Sequence, residues 1–159
     1  MTECIYADHG AINRIIVETL LREGVEKTGA RNVADGLVHA SLRGVDSHGI
    51  RLMPHYLNAL KAGRINPRPE FRFKQTHAAT GILDADHAYG HAAGIHAAGK
   101  AVELARGAGV GMVAVKHSSH FGAASFFALE ISKQDMIGMS FTHSDSLIVP
   151  TGGTRRYLG

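Results

Sequence analysis

The sequence predicts an α/β protein in which a helical unit precedes a β/α part, and three observations carry that expectation. Up to about residue 65 apolar residues recur at the three- and four-residue spacing of helices. Pro67 and Pro69 then interrupt the pattern. Beyond them, short alternating apolar runs flank a long stretch of Ala and Gly and a shorter amphipathic one.

In chain order, Ile12, Ile15, Ile16, Thr19 and Leu20 predict a first helix that ends at Gly24. Val33, Leu37, Ala40 and Ser41 predict a second, ending near Gly44. Leu52, Tyr56, Ala59 and Leu60 predict a third, closed by Gly63 and the turn Asn66-Pro67-Arg68-Pro69. The helical unit is thus expected over 1–66 and the β/α part over 67–159. There, Phe71 and Phe73 alternate with Arg72 and Lys74 as a half-buried strand, and Ile82 and Leu83 begin another. Residues 90–106 read as a helix whose small side chains let it press closely on a sheet. A strand over 110–116, a helix over 122–134 and a strand over 136–142 complete the expectation, the last three as a parallel crossover.

A chain of 159 residues with 45% hydrophobic content can bury a real core. Its net charge of +3, from 17 basic and 14 acidic residues without a long basic run, gives little support for a nucleic-acid or membrane-surface partner. The single cysteine, Cys4, fits a reducing compartment, and no leader-like or membrane-length apolar run occurs, so a soluble cytoplasmic protein is expected. Gly107-Ala108-Gly109-Val110-Gly111 precedes a strand, whereas the dinucleotide fingerprint follows one and opens a helix, so it is rejected as a phosphate cradle.

Chemistry gathers where the 11 histidines cluster with Ser, Asp and Gly. His117-Ser118-Ser119-His120 lies between a strand and a helix-opening Gly122-Ala123, the place where α/β proteins hold ligands. Imidazole moves protons near neutral pH, but a buried, satisfied histidine reads the same way. Asp46-Ser47-His48-Gly49, followed by Arg51 and Tyr56, offers a guanidinium for a carboxylate and an imidazole and hydroxyls for a neighbouring oxygen. The same residues equally suit a helix cap beside a solvated arginine. Thr142-His143-Ser144-Asp145 at the next strand end would share one crevice with His120. His117 and His120 alone fall short of the usual ligand set of zinc, and although His143 and Asp145 could complete one, no metal is expected.

Taken in order, Gly44-Val45-Asp46-Ser47-His48-Gly49, Pro54-His55-Tyr56, Ser119-His120-Phe121-Gly122-Ala123, His143-Ser144-Asp145 and Val149-Pro150-Thr151-Gly152-Gly153 resemble the type-2 malate/L-lactate dehydrogenase family. That family includes ureidoglycolate, sulfolactate and diketogulonate enzymes. The resemblance implies a non-Rossmann, three-layer mixed-sheet fold of which this chain is the N-terminal half. It also implies NAD- or NADP-dependent hydride transfer between a 2-hydroxy acid and its 2-oxo acid. By the same resemblance His120 looks like the proton carrier, and Ser47, His48 and Tyr56 look like substrate-binding residues. Ser144 matches a cofactor contact, Gly122 and Ala123 lie beside it in role, and a homodimer or larger homo-oligomer is implied. Two departures stand out. Many members carry the substrate arginine where this chain has Leu52, and a one-residue shift to Arg51 turns a helical side chain by about 100°. Relatives also run on past Arg155-Arg156-Tyr157-Leu158-Gly159, so a non-catalytic fragment that needs a second half is the alternative reading.

Overall fold

The computed structural model describes residues 6–157; Cys4 lies outside them. Helix α1 spans His9–Arg22, with Asp8 accepting from the Ala11 amide at 2.7 Å as its N-cap. Helix α2 spans Lys27–Leu42 and uses Glu26 in the same way, on the Gly29 amide at 2.9 Å. Two short 3₁₀ turns, Asp46–His48 and Ile50–Leu52, lead into α3, Met53–Lys61, with Pro54 in its first turn, where a missing N–H costs nothing. Ile16, Leu20, Val33, Leu37, Tyr56, Ile65 and Tyr89 form the main core where these helices meet.

The sheet has three strands in the order β1 (Arg72–His77), β2 (Thr80–Ala88) and β3 (Met112–Ser118). β1 and β2 are antiparallel and β2 and β3 parallel, so the sheet is mixed. Helix α4, Gly90–Ala108, makes the crossover from β2 to β3 and packs on both the sheet and α2. Its buried residues include Gly90, Ala92, Ala93, Ala97 and Ala98, so the small side chains permit the close packing expected of them. Helix α5, Ala124–Ser132, follows β3; Phe127 of α5 lies where a side chain on Gly94 of α4 would have to be. Asp86 ties the sheet to the segment after α3, accepting from Asn66 Nδ2 at 2.9 Å and the Glu70 amide at 3.0 Å.

One expectation is corrected. Residues 136–142 form no strand, and the parallel crossover lies one unit earlier, in β2–α4–β3. The segment has the alternation of a strand but no ladder partner: Ile137, Met139 and Phe141 are 92%, 71% and 82% exposed. Without a neighbour to bond its amides and carbonyls or cover its apolar face, the periodicity has nothing to act on. Among the described residues, no helix is long and apolar enough to cross a membrane.

Among the described residues, His91 in the first turn of α4 is a fully buried polar side chain. Burial, with a smaller effect from His120, pushes its pKa down to about 3. Below pH 6.5 the unfolded chain therefore takes up a proton that native His91 refuses. Stability is expected to be unaffected by this group above that range and to fall as the pH drops, at about 1.4 kcal/mol per pH unit. Urea midpoints measured from neutral pH downward check this, and His91→Gln should flatten that part of the slope.

Candidate active site

The loop between β3 and α5 is held by one hydroxyl and shaped by two glycines. Ser119 Oγ donates to the Ala88 carbonyl at 3.1 Å and accepts from the Gly90 amide at 3.0 Å, which fastens the loop to the β2–α4 junction. A Cβ on Gly90 would stand 2.4 Å from the Ser119 oxygen and 2.5 Å from Phe121 Cα, so the loop can cross there only over glycine. Gly122 has φ +77°, a conformation that L side chains rarely adopt, and turns the chain into α5.

This course brings His120 to the helical unit. Its Nδ1 lies 2.7 Å from Tyr56 Oη, across 64 residues of sequence. Tyr56 is buried, and its backbone carbonyl accepts from Tyr89 Oη at 3.2 Å. His48 stacks on His120 with ring centroids 5.4 Å apart and planes 23° off parallel. Ser47 Oγ lies 2.9 Å from His48 Nδ1. The turn that carries them is tied to α2, because Ser41 Oγ accepts from the Ile50 amide at 3.0 Å. His120 thus keeps one side toward solvent and the other against aromatic rings.

The electrostatics follow from that packing. Desolvation, then the neighbouring His48 and His55, hold the His120 pKa below the usual histidine value. Burial pushes the Tyr56 phenol well above its usual range, so it stays protonated at neutral pH. Tyr56 can therefore share a hydrogen bond with His120 without bringing in a negative charge that would trap an imidazolium.

Of the residues expected at the site, Ser47, His48, Tyr56 and His120 come together, with Gly122 and Ala123 directly following. His117 goes elsewhere. Its Nδ1 meets Asp84 Oδ1 at 3.0 Å and its ring stacks on His87 at 5.3 Å, so the two histidines of the motif serve different clusters. Among the described residues no group of three or more His, Cys, Asp or Glu gathers to hold a metal. Arg51 is exposed and makes no ion pair among the described residues, while Leu52 packs against the helical core. The expected crevice between neighbouring strand ends loses its premise with the missing strand: the Ser144 hydroxyl donates to the adjacent Asp145 carbonyl at 3.3 Å. The shallow depression lined by Leu21, Val25, Glu26, Lys27, Arg68 and Pro69 shares no residue with the histidine cluster.

Two members of the cluster were missed as site residues. His55 sits beside Tyr56 with ring centroids 5.7 Å apart and acts electrostatically on His120. His91 lies behind Tyr56, edge-on at 5.5 Å. The available signal for His91 was a histidine at the start of an otherwise Ala- and Gly-rich helix.

A profile described as malate/L-lactate dehydrogenase matches residues 8–159. Malate dehydrogenase of Pyrococcus abyssi is 38% identical over 144 residues, covering 91% of this chain and 40% of that protein. L-sulfolactate dehydrogenase of Methanocaldococcus jannaschii is 37% identical over 92% of this chain and 42% of its own length. The solved structure of malate dehydrogenase from Pyrococcus horikoshii superposes with a TM-score of 0.87 at 34% identity, covering all of this chain and 48% of that one. The chain thus spans less than half the length of these relatives, and its mixed α/β fold superposes over its whole length on the Pyrococcus horikoshii enzyme. It belongs to the malate/L-lactate dehydrogenase family.

Proposed function

We propose that this chain contributes the proton-transfer half of a 2-hydroxy-acid dehydrogenase site, with His120 as general acid and base. The observation that carries the reading is the 2.7 Å contact between Tyr56 Oη and His120 Nδ1. With Nδ1–H donated to the phenol oxygen, Nε2 is the nitrogen left to exchange a proton. In the oxidation direction Nε2 takes the proton of the substrate hydroxyl; in the reverse direction the imidazolium returns it to the oxygen of the 2-oxo acid. Ser47 and His48 lie close enough to His120 to orient that oxygen. Arg51 is the cation nearest in sequence for the substrate carboxylate, although its exposure leaves that pairing to be made on binding.

The residues suit a nicotinamide cofactor in their chemistry. Gly122 and Ala123 present little bulk, and the α5 N-terminus they open has no side-chain cap among the described residues. These two residues and Ser144 are the proposed cofactor contacts. When bound, NAD or NADP supplies the two-electron acceptor or donor for the hydride at C2. Malate, sulfolactate and ureidoglycolate appear in the names of the relatives, which supports a small 2-hydroxy acid as substrate. A division into 1–66 and 67–159, a homo-oligomer and a cytoplasmic location complete the reading.

The test is oxidation of NADH and NADPH with a panel of 2-oxo acids. His120→Ala is expected to lower kcat by roughly 10²- to 10⁴-fold. Normal turnover by that variant would remove His120 from the role. Tyr56→Phe should keep the packing but lose the hydroxyl, with kcat falling roughly 10- to 100-fold and KM little changed. Because the His120 pKa lies below 6.5, hydroxy-acid oxidation should rise with pH through that lowered value and then level off. 2-Oxo-acid reduction, which needs the imidazolium, should fall as the pH rises through it.

A second reading, that these residues act only together with further polypeptide, is favoured by the alternating exposure of Ile137, Met139 and Phe141 and by β3 standing at an edge of the described sheet. On it, the 159-residue chain binds a hydrophobic dye and turns over no 2-oxo acid, and a longer product of the same reading frame does neither the first nor lacks the second. Full activity and no dye binding by the 159-residue chain would reject it.

A further inference from the structure

We propose that His91 is a positioning residue for the Tyr56–His120 pair. Its uncharged imidazole fills a slot between α2 and the His120 loop and holds the Tyr56 ring in place. The inference rests on the reading of His120 as the proton carrier.

The slot is made by two missing side chains. A Cβ on Gly36 of α2 would stand 2.2 Å from His91 Cδ2, and one on Gly122 would stand 2.4 Å from Nε2. The ring therefore lies against backbone on two sides. On a third side it meets Tyr56 edge-to-face, with centroids 5.5 Å apart and planes at 85°. On a fourth it faces Phe126 of α5 at 6.4 Å. One imidazole thus touches α2, α3, α5 and the loop that delivers His120, and of these Tyr56 and Gly122 flank His120 directly.

Filling space is not a sufficient account of this residue. Both ring nitrogens are buried and have no hydrogen-bond partner among the described residues. A polar atom left unpaired in a core is costly, and plain filling would be served as well by an apolar side chain. A branched aliphatic group is not flat, however, and would meet the backbone at Gly36 and Gly122, where the His91 ring already stands 2.2 and 2.4 Å from a would-be Cβ. A thin, planar ring fits, at the cost of its unpaired nitrogens.

The groups around the pair leave it without a strong counter-charge. His48, His55 and Tyr56 face His120, and His120 itself faces His91. From α2, His39 meets Phe126 at 5.3 Å and Ser125 Oγ at 3.4 Å. No carboxylate among the described residues hydrogen-bonds to His91 or His120. The proton affinity of His120 therefore depends on how tightly its inner side is packed, and His91 stands behind that packing.

The experiment is an NMR titration of the histidine rings in the intact polypeptide, together with kcat and KM. In the unsubstituted protein, His91 should stay neutral through the range in which exposed histidines titrate. Gly36→Ala adds a methyl group on α2 whose nearest contacts are all His91 atoms, and alanine favours the helix. It is expected to move the His120 midpoint by about half a pH unit and to lower kcat about tenfold, with KM little changed. His91→Ala should raise the His120 midpoint toward the ordinary histidine value, and His91→Gln, whose amide is planar, should restore most of the original midpoint. A residue that only fills the core would alter melting temperature and leave the His120 midpoint where it was. An unmoved midpoint in folded Gly36→Ala, or titration of His91 alongside the exposed histidines, overturns the proposal. Should the midpoint move while no 2-oxo acid is turned over, His91 keeps its place and the dehydrogenase reading fails.

Discussion

The geometry of the site depends on one close crossing, that of residues 119–122 over the first residue of α4. Gly90 allows it because any side chain there would run into three backbone atoms of the loop. Ser119 fixes it because a single hydroxyl both donates to the end of β2 and accepts from the start of α4. The loop inherits its position from the end of β2 and the start of α4, whose Ala88, Tyr89, Gly90, Ala92 and Ala93 are buried. His120 is thereby carried by rigid elements, although it stands in a loop.

The second constraint is electrostatic. His55, His91 and His120 lie around one phenol, with His48 stacked on His120, so positive charge on His120 is disfavoured by its neighbours. The structure resolves this by depth. His91 is sealed in and neutral, His120 stands at the surface with a pKa lowered by partial burial, and the raised pKa of Tyr56 keeps the phenol uncharged. Aromatic packing, and not an opposing carboxylate, sets the proton affinity of the central histidine. Such an arrangement suits a group that must both take and give a proton, because neither form is locked by an ion pair.

Much of this was legible in the sequence where local chemistry decides the outcome. The three helices ending at Gly24, Gly44 and Gly63 and the small-residue packing of α4 followed from spacing, whereas a site shared by His120, Ser47, His48 and Tyr56 was implied only by the family resemblance. What was not legible depends on partners distant in sequence. The alternation in 136–142 is that of a strand, yet a strand exists only with a neighbour to bond. The His117–His120 pair looked like one cluster, but the bulge near Asp84–Ala88 gives His117 a carboxylate of its own. Leu52 and Arg51 differ by one position, and the demand of the helical core for an apolar side chain determined which of them turned inward. His91 was hidden because its meaning lies in Gly36 and Gly122, which no local window joins to it.

The contact between Tyr56 and His120 spans 64 residues, with β1, β2, α4 and β3 between them. Contacts of such high sequence separation form only after the intervening chain has closed a long loop, and parallel strand pairing is slow for the same reason. The helices can form and associate early through neighbours in sequence, but the histidine cluster must wait for β3 to dock beside β2. By that reasoning the Tyr56–His120 contact is expected to form late in folding, so that a nascent or partly folded chain would hold its helices before the histidine cluster has assembled.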